Sequence, residues 1–378
     1  MARPDRSASP ARGTLRWIVA AGALVYAVAA LGSGLDRIAG REIMAESAVP
    51  AIFRSEADVA RARLAVSRQD GEAAVDAGQD AVRKQPFYGV GAGMLASGYL
   101  LSGDTARADA AFRVSAAGGW REPATQLYWA QQTIDLGEYD LAAARIDAIL
   151  RAHPILPQAD ELRAELEASP EGREALAARL AEQPVWLLPY LTLGAETPDA
   201  TAAARTDVLE RLANRSGPLG CEKIDMTATA LVKRSLWDEA EAVWLAHCPD
   251  GAHLARKIDG GFAGRAKSPF AWQLVPSGDV SVSEDGDVLR VANRGRIARV
   301  FATRLVRFAA GKASVEITSD GAGGTLAASL DCGAPARPSF GRQDAIPVPD
   351  CAVQTLSLWA RPGTQFTVKS VKAVSTGS

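Results

Sequence analysis

Nineteen consecutive positions, Trp17 to Leu35, carry no charge. That is about the length an α-helix needs to cross the hydrocarbon layer, so the run predicts a transmembrane helix over 17–35 behind a leader over 1–16. After it the pattern changes twice. To residue 250 or so the chain is rich in alanine and reads as helix. From Phe270 onward short runs alternate apolar with polar residues, as in Val280-Ser281-Val282-Ser283, Val288-Leu289-Arg290-Val291 and Ala313-Ser314-Val315-Glu316-Ile317. One face of each such strand is buried and the other is wet. Asp285-Gly286, Asn293-Arg294-Gly295 and Asp320-Gly321-Ala322-Gly323-Gly324 supply turns between them, and further strands are predicted over 298–308, 325–332, 352–360 and 365–375. The fold class predicted is multidomain, α then β: a helical repeat domain over 46–256 and an antiparallel jelly-roll-like sandwich over 257–378, of roughly eight strands.

The helical part contains a repeat. Gln69, Gly103 and Gly137 are 34 residues apart, and each begins a turn between two helical runs. Ala62, Ala96 and Ala130 stand seven residues before these turns, and Ala74, Ala108 and Ala142 stand five after them. Antiparallel helices need small side chains where their axes approach, which is what alanine at both places provides. Nine residues after the turns come Gly78, Phe112 and Ile146, and seventeen after them Pro86, Trp120 and Pro154, the two prolines closing their helices.

Leu136-Gly137-Glu138-Tyr139-Asp140-Leu141-Ala142, ending at Pro154, resembles the turn and second helix of a tetratricopeptide repeat, as does Ser102-Gly103-Asp104 with Ala108 and Phe112. The resemblance covers about 100 residues, 56–154, and departs from the family where Gln69 replaces the turn glycine, Gly78 the large second-helix residue and Trp120 the proline. It implies an α-solenoid whose groove binds peptides or proteins. Pro184 and Leu236-Trp237-Asp238-Glu239-Ala240-Glu241-Ala242 suggest that degenerate units continue to residue 250 or so. Tyr99, Phe112 and Trp129 read as packing residues before ligand contacts.

Arg3, Arg6, Arg12 and Arg16 precede the apolar run against a single Asp5, which keeps the N-terminus in the cytoplasm and exports the rest. The alternative is a cleaved signal peptide with Ala27-Val28-Ala29 as its processing site and a soluble periplasmic product. Four cysteines fall as two close pairs, Cys221 with Cys248 and Cys332 with Cys351. Two local disulfides suit an oxidising periplasm; the other two pairings, or four free thiols, stay open.

Gly260-Gly261-Phe262 followed by Pro269-Phe270-Ala271-Trp272 resembles the opening of galactose-binding-like sandwiches, which include carbohydrate-binding modules. That resemblance implies glycan binding, with Trp272 and Trp359 the candidates for stacking on a sugar face and core filling as the competing role. An anchored repeat array joined to such a sandwich is similar to proteobacterial envelope proteins associated with exopolysaccharide production. It implies an envelope protein as the array's partner and a polysaccharide as the sandwich's, with residues 17–35 in the inner membrane.

Composition narrows the remainder. With 42 basic and 44 acidic residues the net charge is -2, which lacks the cationic excess of a nucleic-acid binder. His153, His247 and His253 all lie in the helical part, and no G-x-S-x-G elbow accompanies them. Gly89-Val90-Gly91-Ala92-Gly93 opens a repeat helix and does not follow a strand, so close packing explains it better than a dinucleotide. His247, Cys248 and His253 lack the spacing of a zinc set. Asp285 and Asp320 fall in turns, where carboxylates are solvated. The expectation is an interaction protein with no reaction, cofactor or metal.

Overall fold

The computed structural model describes residues 10–42, 48–256, 258–260, 262, 268–333, 338, 340 and 345–376. Arg3, Asp5 and Arg6 of the leader, residues 46 and 47 at the start of the helical domain, Gly261, and much of the stretch between Cys332 and Cys351 lie outside the described residues. Helices fill the first two-thirds of the chain and two antiparallel sheets follow. The chain divides into two compact units, Met1–Leu162 and Arg163–Ser378.

In the first unit, α1 (Pro10–Ala39) is one unbroken helix that includes the apolar run and is long and apolar enough to cross a membrane. Its last turns bear on the next segment. Gly32 and Ala39 are buried, the Phe53 ring lies where a β-carbon on Gly32 would be, and Leu35, Val49 and Ala57 complete a small core. Asp36 is the first charge after the apolar run, and its carboxylate accepts the backbone N–H groups of Ser55, Glu56 and Ala57 at 2.9, 3.0 and 3.0 Å. Those are the orphan donors at the start of α2 (Glu56–Ser67), whose own N-cap Ser55 makes no side-chain cap bond. Helix α1 thus caps α2.

Three hairpins follow: α2 with α3 (Gly71–Lys84), α4 (Gly89–Leu101) with α5 (Thr105–Ala117), and α6 (Pro123–Asp135) with α7 (Tyr139–Ala152). Their first helices end at 67, 101 and 135 and their second helices begin at 71, 105 and 139, a strict 34-residue period. Gln69, Gly103 and Gly137 all take the left-handed backbone conformation, at φ 60°, 77° and 74°. The N–H after each reaches back five residues, Asp70 to Ala65 O, Asp104 to Tyr99 O and Glu138 to Thr133 O, which is the Schellman closure. Ala62, Ala74, Ala96, Ala108, Ala130 and Ala142 have no exposed surface. Pro154 is exposed beyond the end of α7. Gly78 makes room for the next unit, because a β-carbon there would lie 2.7 Å from Leu95 Cα.

The division between the units falls within α8 (Pro157–Ala168). The second unit continues through α9 (Pro170–Leu180), α10 (Leu187–Leu191), α11 (Asp199–Ser216), α12 (Cys221–Lys233), α13 (Trp237–His247) and α14 (Ala252–Arg256). Helices α12 and α13 form a fourth hairpin with the same turn: Ser235 has φ 63°, Leu236 N–H bonds to Leu231 O, and Ala228 and Ala240 are fully buried at the corresponding offsets. The Cys221–Cys248 disulfide ties the start of this hairpin to its end.

One sheet runs in the order β3 (Val280–Asp285), β4 (Val288–Asn293), β10 (Thr364–Thr376), β6 (Gly311–Ser319), β8 (Ile346–Val348), with β1 (Ile258–Gly260) also on β10. The other runs β2 (Gln273–Leu274), β5 (Arg299–Val306), β9 (Gln354–Ala360), β7 (Leu326–Asp331). Both sheets contribute to one core, where Phe301 meets Phe366 edge-on at 5.8 Å. A bulge at Lys369 shifts the inward set of β10 from Phe366 and Val368 to Val371 and Ala373. The second disulfide, Cys332–Cys351, closes the connection between β7 and β9.

Helices α3 and α4 meet at Gly98, where an added β-carbon would lie 2.8 Å from Val75 N and 3.0 Å from Ala74 Cβ. Gly98→Val is therefore expected to destabilise the protein by about 1–3 kcal/mol through overpacking, read as a lowered midpoint of thermal or urea unfolding.

Candidate functional site

On the array, α6 and α7 bring together Trp120, Gln126, Trp129 and Arg145. Gln126 faces inward because it shares a helix face with the buried Ala130 and Thr133, and Arg145 on α7 donates from Nη1 to its Oε1 at 2.9 Å. The Arg145 guanidinium lies 4.7 Å from the Trp120 ring and 6.0 Å from that of Trp129, an aromatic enclosure suited to a cation. Burial lowers the affinity of this guanidinium for its proton below the ordinary arginine value. Among the described residues, three donors remain unmatched: Gln126 Nε2, Trp129 Nε1 and Arg145 Nε are buried without a hydrogen-bond partner. A buried donor left without an acceptor costs about 1–3 kcal/mol, and these three atoms have almost no accessible surface of their own. Tyr128 stacks on Phe112 at 4.1 Å and reaches Asp109, and Tyr99 meets Gln79, so these aromatics pack one hairpin on the next.

The second unit has a buried charge cluster of its own. Glu167 on α8 accepts Arg205 Nε from α11 at 3.1 Å, and Arg163 Nε lies 3.8 Å from the same oxygen. The two guanidiniums lie 4.7 and 5.2 Å from the ring of Tyr190 on α10. Burial, followed by the Glu167 charge, holds the Tyr190 hydroxyl well above its ordinary range. Helical spacing alone gives no sign of this cluster, because its members are separated by loops and meet only on folding.

Beside the sandwich the same unit holds a cleft of 610 Å³, whose lining includes Trp237, Leu254, Phe270, Arg304, Val306 and Lys372. Arg304 shares an inward register on β5 with Ala302 and Val306 and is buried, donating from Nη2 to Leu254 O at 2.6 Å. Burial pulls its pKa down to about 10, which leaves it charged at neutral pH. Its guanidinium is 5.9 Å from the ring of Trp272. A charged residue among inward apolar positions was the available sequence signal for Arg304, whereas Arg307, just past the end of β5, pairs with Asp238.

Trp272 and Trp359 are only 5% and 7% exposed. Trp272 packs on Phe262, and Trp359 donates its indole N–H to Ser329 Oγ at 3.0 Å, so neither presents an open ring face for a sugar. His247, the nearest approach to a metal ligand in the sequence, is committed elsewhere: Nδ1 accepts Leu219 N–H at 3.2 Å, Nε2 donates to Leu209 O at 2.8 Å, and Cys248 is in a disulfide. Among the described residues no group of three or more His, Cys, Asp or Glu side chains is placed to hold a metal ion. No family model matches the chain, and no curated protein or solved structure is significantly similar to it.

Removing Glu167 leaves two buried guanidiniums without their carboxylate, so Glu167→Ala is expected to cost about 3–5 kcal/mol in chemical denaturation. Breaking the exposed Arg290–Asp285 pair by Asp285→Ala is expected to change the same midpoint by only about 0–1 kcal/mol. His247 is held below its ordinary pKa by burial, opposed in part by its bond to Leu209. The unfolded chain therefore takes up this proton more readily than the folded one, so the stability contributed by neutral His247 is complete above about pH 6.5 and declines as pH falls toward the depressed folded value. Thermal melts across that range should show the decline in the native protein and a smaller one in His247→Gln.

Proposed function

We propose that this chain is a non-catalytic, membrane-anchored interaction protein. In this reading α1 stays in the inner membrane, both folded units are periplasmic, and the hairpins form a tetratricopeptide-like solenoid that docks an envelope protein. The single observation that carries the docking role is the set of unmatched donors on Gln126, Trp129 and Arg145 beneath the partly exposed Trp120. A partner's acidic side chain or backbone carbonyl supplies the missing acceptor, and the two indoles supply contact area. The periodic Schellman turns and fully buried alanines support the tetratricopeptide-like reading of α2–α7. Two disulfides support an oxidising compartment.

The C-terminal domain fits a jelly roll, because every strand from β5 to β10 lies in the sheet opposite to its predecessor, as interleaved Greek keys require. Its role in this reading is a rigid platform. The partner is assigned to exopolysaccharide production only by resemblance of architecture.

The test has two arms in the native host. A C-terminal alkaline phosphatase fusion is expected to be active, and an inactive fusion with a bright cytoplasmic reporter would overturn the exported reading. A photo-crosslinking side chain at the exposed Arg121, the neighbour of Trp120, is expected to give one discrete envelope-protein adduct. Arg145→Ala should weaken that adduct about tenfold or more, as loss of a charged interface anchor does. An adduct unchanged by Arg145→Ala would falsify the docking site.

A further inference from the structure

The anchor helix and the first hairpin share a wall, and its depth along α1 is fixed by contacts. The Phe53 ring rests on Gly32, four residues before Asp36. At 1.5 Å of rise per residue that places the ring about 6 Å further into the apolar run than the carboxylate that caps α2. Ile52, beside it in the short turn Ala51–Phe53, is 81% exposed. The loop between α3 and α4 comes to the same edge: Lys84 Nζ donates to Arg54 O at 2.7 Å, and Tyr88 lies close enough to Glu56 for that carboxylate to raise its pKa, after burial. Between them Phe87 is 98% exposed. A full-size aromatic and a branched aliphatic side chain are thus displayed without protein cover at the end of the hairpin from which α1 departs. Arg37 and Arg41 near the end of α1 are exposed, and Lys84 at the end of α3 pairs with Asp58. The opposite end of the same hairpin is Ser67-Arg68-Gln69-Asp70, which is polar throughout.

Aromatic and aliphatic side chains flanked by cations, held at the depth where an apolar helix ends, have the chemistry of the bilayer interface. We infer that the edge formed by Ile52, Phe53, Phe87 and Tyr88 is seated in the interfacial layer of the membrane that holds α1. This rests on the anchor reading above and goes beyond it, because a tether alone leaves the array free of the surface. The bilayer is the occupant that continuity selects, since residues already packed along Gly32 and Leu35 enter the lipid with them. Asp36 tolerates that depth because three backbone N–H groups saturate its carboxylate. Seating would fix the first hairpin's distance from the membrane.

The experiment uses the full-length protein, native disulfides intact, in vesicles of phosphatidylcholine and phosphatidylglycerol that include nitroxide-labelled lipid. One fluorophore is attached to an introduced cysteine at Ile52→Cys, Phe87→Cys, Leu136→Cys or Val25→Cys. Leu136 is 77% exposed and apolar but lies at the hairpin turns, away from the anchor, and Val25 lies within the apolar run. Positions 52 and 87 are expected to lose about half of their fluorescence or more to the lipid quencher, with position 136 unaffected. Quenching at 25 together with 52 and 87 behaving like 136 would overturn the seating while leaving the anchor in place. No quenching at 25 would remove the anchor and the seating together. Because 52 and 87 are independent surface positions, failure of one variant to fold leaves the other to decide.

Discussion

Helix axes approach closely only where neither side chain exceeds a methyl group, and the array depends on that constraint. The six repeat alanines are buried without remainder, and Gly78, Gly91 and Gly98 bring α3 and α4 closer still, with Gly91 accommodating Ala81. Small seams free the larger residues for other work. Phe112 and Tyr128 lock one hairpin to the next, while Trp120 and Trp129 are left to enclose Arg145. A seam built from leucines would have buried more apolar area per residue but would have separated the helices and removed the 34-residue register.

Termini pose the opposite difficulty, since backbone groups there need partners. Three hairpins solve it with a left-handed residue and a Schellman closure, and Asp70 and Asp104 cap the second helices that follow through Ala73 N–H and Arg107 N–H. The start of α2 is different because its cap comes from Asp36 on α1. One carboxylate therefore does two jobs: it ends the apolar run and it fixes the array to the helix that contains that run. Covalent continuity alone would permit any orientation, whereas three hydrogen bonds and the Gly32–Phe53 contact permit one.

Much of this was legible in the residues. The phase of Gln69, Gly103 and Gly137 with their flanking alanines locates three hairpins, and the alternation after Phe270 locates the longer strands within a few residues. What was hidden has physical causes. Ser235 carries the fourth turn without glycine, and it lies 98 residues after Gly137, out of phase with a 34-residue repeat, so the α12–α13 hairpin could be seen only as a fragment at Leu236. The bulge at Lys369 inverts the inward parity midway along β10, which no fixed period of two anticipates. Trp272 and Trp359 carry no mark in the sequence that separates a ring in the core from one on the surface. The donor cluster was invisible for a further reason: Trp129 and Arg145 are ordinary residues at ordinary helical positions, and their grouping with Gln126 and Trp120 exists only in the folded chain.

A carboxylate partner separates the two cationic sites. Arg205 and Arg163 share Glu167, so their charge is answered within the protein, although Glu167 Oε2 and the Tyr190 hydroxyl also lack hydrogen-bond partners among the described residues. Arg145 has an amide oxygen and two indole faces, which orient a guanidinium without neutralising it. Arg145 is half-buried, so water screens part of its charge while the two indoles and the Gln126 amide fix its orientation. Retaining arginine there, with two further donors turned toward the same region, is consistent with an acceptor that arrives from outside the chain. It is on this contrast, and not on the repeat architecture by itself, that a docking role for the array rests.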